Sequence, residues 1–218
     1  MDFCFQGGQI SSRSSSHFIF HFKMAATASN NVNLSRQMKA IEMAKAVFDI
    51  AELKQYQTEA LMGLLQGRDV VIAQPTGSGK SLVYQLIPFV VDIFNILQNE
   101  RIVNAMEKDR LIQEILHTRK TSSAVLVIQP LIALMKDQIR SMEQRQIKVC
   151  RLMHNKTTPG TNKDQAQSIS SATLCDASII IASPEAVLRT YRSQLRFENV
   201  SKRIICVAVD EGHCIIKW

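Results

Sequence analysis

The tightest constraint on this chain is the string Gln74-Pro75-Thr76-Gly77-Ser78-Gly79-Lys80-Ser81. Before it stands Asp69-Val70-Val71-Ile72-Ala73, which reads as a buried strand. After it comes a helical stretch from Lys80 to about Phe94. A strand that turns through glycines straight into a helix leaves successive N–H groups pointing at one spot. Gly77 and Gly79 let the backbone wrap that closely around phosphate oxygens. The helix presents its positive N-terminus to the same anion. Lys80 supplies a point charge for the β- and γ-phosphates of a nucleotide, and the Ser81 hydroxyl is a ligand for Mg²⁺. The bland alternative is a chance Gly/Ser turn. The strand before, the helix after and the intact Gly-Lys-Ser weigh against it, although the usual first glycine is missing.

A phosphate loop of this kind needs an acidic partner at the tip of a neighbouring strand. Val207-Ala208-Val209-Asp210-Glu211-Gly212-His213 offers one. Asp210 would reach Mg²⁺, and Glu211 would polarise an attacking water. Asp-Glu at a strand end is ordinarily solvated loop, but the pairing with an upstream phosphate loop makes it far more specific.

Between the two motifs lie further β-branched runs, Ala124 to Ile128 and Ser178 to Ala182, with a short strand at Val149 to Leu152. Helical periodicity separates them, at Leu131 to Arg145 and near Lys163 to Ser171. Upstream, Leu34 to Phe48 and Gln55 to Gln66 also read as helices, the second closed by Gly67. Apolar strands alternating with helices imply an α/β fold, a parallel sheet with helices on both faces. Asn95 to Arg119 is charged and helical, and is expected to stand on the surface as an excursion between core elements. Asn155 to Thr161 reads as a polar loop.

The first 23 residues differ: a Ser-rich run, Phe18, Phe20 and Phe22, and few charges. Residues 1–33 are expected to be a disordered or artefactual tail, and 34–218 the globular domain. A net charge of +7 suits a polyanion, nucleic acid before membrane. Five scattered cysteines without zinc-ligand spacing read as reduced intracellular thiols. No apolar run reaches the roughly 18 residues of a membrane span. His17, His21, His117 and His154 have no ligand-spaced neighbours, and Lys136, Arg140 and Arg145 read most simply as the solvated face of a helix.

With these motifs in place the chain resembles the superfamily-2 helicases, and among them the RecQ family of 3′–5′ DNA helicases, over roughly Phe48 to Trp218. Phe48 with Leu53-Lys54-Gln55-Tyr56-Gln57 is similar to that family's adenine-sensing segment. Val127-Ile128-Gln129-Pro130-Leu131-Ile132-Ala133-Leu134-Met135-Lys136-Asp137-Gln138 is similar to its motif Ia, and Ala182-Ser183-Pro184-Glu185 to the next strand-contacting motif. The resemblance implies a RecA-like P-loop domain that binds Mg-ATP and drives DNA unwinding in the nucleus. It implies that Gln57 and Lys54, with Thr76, Gly77, Ser78, Gly79, Lys80 and Ser81, hold the nucleotide. Lys80, Asp210 and Glu211 would serve hydrolysis, with Ser81 and Asp210 on the metal. Pro130, Leu131, Lys136, Ser183, Pro184, Glu185 and Trp218 would contact single-stranded or forked DNA, with His213 coupling that path to the γ-phosphate.

The sequence departs from the family at Lys54, where Arg is usual, at Gln129 for Ser and at Gly212 for Ala. It carries no second motor lobe and no arginine finger, so poor turnover is expected of the chain alone. Two other readings stay open: a nucleic-acid-binding regulatory module without motor activity, and an RNA helicase of the same superfamily.

Overall fold

The computed structural model describes residues 15–22, 31–154 and 169–211. The apolar runs form strands β2 (Val70–Pro75), β3 (Ala124–Ile128), β4 (Val149–Leu152), β5 (Ile179–Ala182) and β6 (Ile204–Val209). They join with an N-terminal strand β1 (Ser15–Phe22) in one sheet of order β2-β1-β6-β3-β5-β4. Strand β3 pairs in parallel with β5 and β6, and β4 with β5. Strand β1 runs antiparallel to both its neighbours, β2 and β6.

Parallel neighbours require long crossovers, and helices provide them. Helices α3 (Ser81–Gln98) and α4 (Ala105–Thr118) lead from β2 to β3, and α5 (Ile132–Gln144) leads from β3 to β4. Short helices α6 (Ser171–Asp176), α7 (Arg192–Arg196) and α8 (Glu198–Ser201) flank β5. Ahead of β2 stand α1 (Asn31–Ala44), continued by a 3₁₀ turn to Phe48, and α2 (Gln55–Leu65). Gly67 closes α2 at a positive φ of 74°, where a Cβ would be penalised.

Strand alternation divides the core into two layers. Val125, Val127, Ile179, Ile181, Cys206 and Ala208 face α1, α2 and α3 in the larger layer, with Phe20 and Ile72. Leu126, Ile180, Ala182 and Leu152 face Leu174, Ala186, Tyr191 and Val200 in the smaller one. A bulge sets Ile204 opposite Ala124 but Cys206 opposite Val125, so one residue of β6 is skipped.

Part of the expected tail is therefore sheet. Phe18, Phe20 and Phe22 recur at the strand period of two, and Phe20 is completely buried in the larger core. The excursion is also docked: Ile112 of α4 is fully buried, although Val103 and Met106 at its start are exposed. Helix α3 is long and apolar enough, by length and composition, to cross a membrane, yet most of it is packed inside this core. Arg145 departs from the solvated face too: its guanidinium lies 6.0 Å from the centre of the Phe48 ring. The expected loop at Asn155 to Thr161, and most of the helix expected near Lys163 to Ser171, lie outside the described residues.

One buried carboxylate ties the layers together. Asp92 of α3 accepts the backbone N–H of Ser122 at 2.5 Å and that of Ser123 at 3.2 Å, just before β3. Replacing it by Ala strands buried donors, which costs about 1–3 kcal/mol. Asp92→Ala is expected to lower the urea midpoint with little change in slope, and Asp92→Asn to recover part of the loss. Identical midpoints for wild type and Asp92→Ala would show the carboxylate to be dispensable.

Candidate functional site

Strands β2, β3, β5 and β6 share a direction, so their C-terminal ends come out along one sheet edge, where ligands of open α/β sheets bind. That edge carries the loop after β2, Gln129-Pro130-Leu131 after β3, Ser183-Pro184-Glu185 after β5, and Asp210-Glu211 after β6. Motifs scattered over the sequence thus meet because parallel pairing leaves them nowhere else to emerge.

The loop itself has two glycines at positive φ, Gly77 at 79° and Gly79 at 98°. A Cβ at Gly77 would meet nothing, so only its backbone conformation favours glycine. At Gly79 a Cβ would also come within 3.0 Å of Gln57 Nε2. Three side chains from the start of α2 hold the loop from outside. Lys54 Nζ and Tyr56 Oη both donate to the Ser78 carbonyl, at 2.7 and 2.9 Å, and Gln57 Nε2 donates to the Gly79 carbonyl at 2.9 Å. Gln57 Oε1 accepts the Lys54 N–H at 2.9 Å. The amide expected to read a base thus grips the phosphate loop, with one N–H and one lone pair to spare.

Lys80 is buried and folds back over the loop, donating to the carbonyls of Gln74 (2.7 Å) and Pro75 (2.8 Å). Burial pulls its pKa below the ordinary lysine value, while the negative charges of Asp210 and Glu211 act the other way. Ser81 opens α3. Its hydroxyl accepts from Gln138 Nε2 at 3.2 Å, and Gln138 Oε1 accepts from the buried Tyr84 hydroxyl. Burial, then the charge of Asp210, raises the Tyr84 phenol above its usual range.

Asp210 is 2% exposed. Its backbone N–H donates to the Ile128 carbonyl at 2.9 Å, carrying the β6–β3 ladder to the last residue before the turn. Its carboxylate accepts from Gln129 Nε2 at 2.7 Å and from the Glu211 N–H at 2.8 Å. Burial, reinforced by the neighbouring charge of Glu211, lifts its pKa to about 6. Those two hydrogen bonds and Lys80 restrain the rise. Glu211 turns the chain at a positive φ of 54°.

Two buried polar atoms here have no hydrogen-bond partner, Ser78 Oγ inside the loop and Gln129 Oε1 beside Asp210. Orphaned polar atoms beside a glycine cradle are what a phosphate-bearing ligand with its hydrated metal would satisfy. No group of three His, Cys, Asp or Glu among the described residues could hold a metal alone. Ser81 and Asp210 suit Mg²⁺, which takes one or two protein oxygens and completes its shell from phosphate and water. The residues fit Mg-ATP.

The strand-contacting candidates divide. Leu131 and Lys136 are exposed at the start of α5, and Pro130 is half-buried. Ser183 is buried, its hydroxyl accepting from Ala186 N–H at 3.2 Å as a local cap. Pro184 is buried as well, and Glu185 alone of the three is exposed. His213 and Trp218 lie outside the described residues. Sequence reading did not single out Tyr56, Tyr84 or Gln138. The signal for the first was its place between Lys54 and Gln57, and for Tyr84 its helical spacing of three from Ser81.

Gly79→Ala is expected to weaken Mg-ATP binding at least tenfold by calorimetry, since it strains φ and displaces Gln57, while Gly77→Ala suffers strain alone. Equal losses would mean the Gln57 contact is irrelevant. Asp210 gives a pH signature. Its folded pKa, about 6, lies above the unfolded value of 3.8, so the stability it confers is present at low pH and is lost as pH rises through that window. Without nucleotide, Asp210→Asn should melt like wild type near pH 4 and above it beyond pH 6. A pH-independent gap would contradict this.

Comparison with known proteins agrees with the geometry. The ATP-dependent DNA helicase RecQ of Haemophilus influenzae is 28% identical over 180 residues, 82% of this chain but 23% of that protein. The ATP-dependent helicase SGS1 of Saccharomyces cerevisiae is 28% identical over 79% of this chain and 10% of its own length. The ATP-dependent DNA helicase Q1 of Pongo abelii is 25% identical over 83% of this chain and 23% of its own. The chain therefore spans less than a quarter of these relatives. The DEAD/DEAH box helicase family model matches residues 54–218, from Lys54 at the head of α2 through the acidic turn, and the chain belongs to that family.

Proposed function

We propose that residues 34–218, joined in one sheet with strand β1, form the ATP-binding lobe of an ATP-dependent 3′–5′ DNA helicase of RecQ type, working with a second lobe. The observation that carries this reading is the placement of a buried Lys80 and a buried Asp210 on one sheet edge, each electrostatically sensing the other.

In this reading the glycine loop and the N-terminus of α3 receive the phosphates of ATP, and Lys80 exchanges its two backbone carbonyls for phosphate oxygens. Gln57 offers its spare N–H and lone pair to the adenine edge, with Lys54 beside it. Ser81 and Asp210 would hold Mg²⁺, which would supply positive charge to the phosphates. Glu211 orients the attacking water and takes up its proton. Pro130, Leu131 and Lys136, with Glu185 and the backbone around Ser183 and Pro184, lie along the same edge and would meet single-stranded DNA. His213 and Trp218 would extend that path.

Charge stabilisation in the transition state commonly needs an arginine from a second lobe, worth about 10³-fold or more. The chain alone is therefore expected to bind ATP and turn it over slowly.

Lys80→Ala is expected to abolish Mg-ATP binding in calorimetry, and Gln57→Ala to erase a preference for ATP over GTP. Unchanged ATP affinity in Lys80→Ala would remove the nucleotide-site reading. With a second lobe supplied, single-stranded DNA should stimulate hydrolysis more than RNA does. Glu211→Gln should reduce that rate about 10²-fold or more while sparing binding. A rate untouched by Glu211→Gln would sink the hydrolytic role.

A further inference from the structure

We infer that strand β1 (Ser15–Phe22) is a positioning segment of the nucleotide site, the spacer that fixes the phosphate loop at its working distance from the acidic turn. The inference rests on the reading of that edge as an ATP site.

The sheet order places β1 between β2, which carries the loop, and β6, which carries Asp210. Among the described residues β2 pairs with β1 and with no other strand. Its ladder runs from Ser15 opposite Pro75 to Phe20 opposite Val70. On its other edge β1 pairs with β6, from Ile19 opposite Val209 to Phe22 opposite Cys206. Among the described residues, sheet hydrogen bonding between the two halves of the site therefore passes through β1 alone.

Neighbouring strands lie about 4.8 Å apart, so an intervening strand holds β2 and β6 about 10 Å apart. Since β1 is antiparallel to both, β2 and β6 are parallel to each other and could pair directly if β1 left. That would halve their separation and push the loop against Asp210, closing the space for a triphosphate and a hydrated Mg²⁺. The alternative, an open gap, would strand the inner N–H and C=O groups of both strands.

The side chains show what anchors the spacer. Phe20 is fully buried in the larger core. Ile19, on the opposite face, lies in one row with Val71 and Val209. That face is thinly covered, Val71 being 60% exposed. At the end away from the nucleotide, His21 Nδ1 lies 2.9 Å from Asp69 Oδ1, tying β1 to the residue before β2. One strong apolar anchor and two ladders, with little cover outside, describe a strand seated firmly but able to be removed and replaced.

The test compares the full chain with a variant beginning at Met24, using a fluorescent ATP analogue with Mg²⁺. The shortened chain should bind at least tenfold more weakly. A synthetic peptide spanning residues 13–23, added in trans, should restore affinity. Hydrogen exchange should rise at Val70 to Ala73 and Val207 to Val209, while β4 and β5 stay protected.

Should the shortened chain fail to fold, Ile19→Cys with Val71→Cys in the full chain decides the matter. Directly opposed positions are within disulfide reach. The pair should cross-link on oxidation and keep nucleotide affinity within about twofold, whereas Ile19→Cys with Leu131→Cys should not cross-link. No cross-link at Ile19 and Val71, or a chain from Met24 that binds as tightly as the whole, overturns the inference. A full chain that binds no Mg-ATP would instead sink the functional reading and this one with it, so the two failures are told apart.

Discussion

Asp210 is a carboxylate held where water scarcely reaches, and much of the site is arranged around that fact. Strand β6 runs through the middle of the sheet, so the residue that follows it emerges between β1 and β3 instead of at an open edge. Ionising a group there is costly unless partners meet it. Gln129 and the Glu211 N–H supply hydrogen bonds, and Lys80 supplies opposite charge, yet burial and Glu211 still win and the pKa stays raised. Lys80 carries the mirror-image burden, its ammonium displaced toward neutrality by burial and held by two loop carbonyls and the negative charges of Asp210 and Glu211. Two groups strained in opposite senses across one site are poised for a ligand that brings both a dense negative charge and a cation.

The cover over the sheet is unequal, and that bears on how the site moves. The larger core is continuous from α1 to α5 beneath nearly every strand. The smaller one covers β3, β4 and β5, reaches β6 at Ile204 and Val207, and leaves the outer face of β2 bare. The acidic turn is therefore fixed from both faces of the sheet, while the phosphate loop is fixed from one, by α2 and α3. A loop that must close on phosphates and release them belongs on the less constrained strand.

Much of this was legible in sequence because the signals are local. Strands β2, β3, β5 and β6 are apolar runs rich in Val and Ile, the Gly-Lys-Ser junction dictates strand, turn and helix, and Gly67 marks the end of α2. What was not legible is non-local. The aromatic alternation of Phe18, Phe20 and Phe22 was present but lay in a Ser-rich setting that reads as tail, and only a vacant slot between two distant strands gives it a partner. Asp92 looks like a stray polar residue in an apolar helix until the Ser122 and Ser123 amides arrive beneath it. Arg203 likewise reads as surface charge, whereas it donates to the carbonyls of Thr121, Ser122 and Leu174 and locks the start of β6 to its neighbours. In the site, Lys80 and Asp210 were singled out by residue type and spacing, but Gln129 was noted only as a departure from Ser. Its reach to Asp210 depends on β3 and β6 ending in register.

If the segment Lys54-Gln55-Tyr56-Gln57 reads the base as proposed, base and phosphate are not separate recognition problems here. Its three gripping side chains end on two consecutive carbonyls of the phosphate loop, Ser78 and Gly79. Gly79 can host Gln57 only because it lacks a Cβ. Any ligand that turns the Gln57 amide to satisfy its own edge must do so without breaking the bond to Gly79, or else relax the loop that holds its phosphates. An adenine that uses the spare N–H and lone pair leaves the grip intact. On its Watson–Crick edge guanine presents the reversed donor and acceptor order and would require the amide to flip, placing Oε1 against the Gly79 carbonyl, while its N7 and O6 are both acceptors and leave the amide oxygen without a donor. Selectivity for the base would then be read out as the shape of the phosphate loop, and the cost of a wrong base would be felt at Lys80.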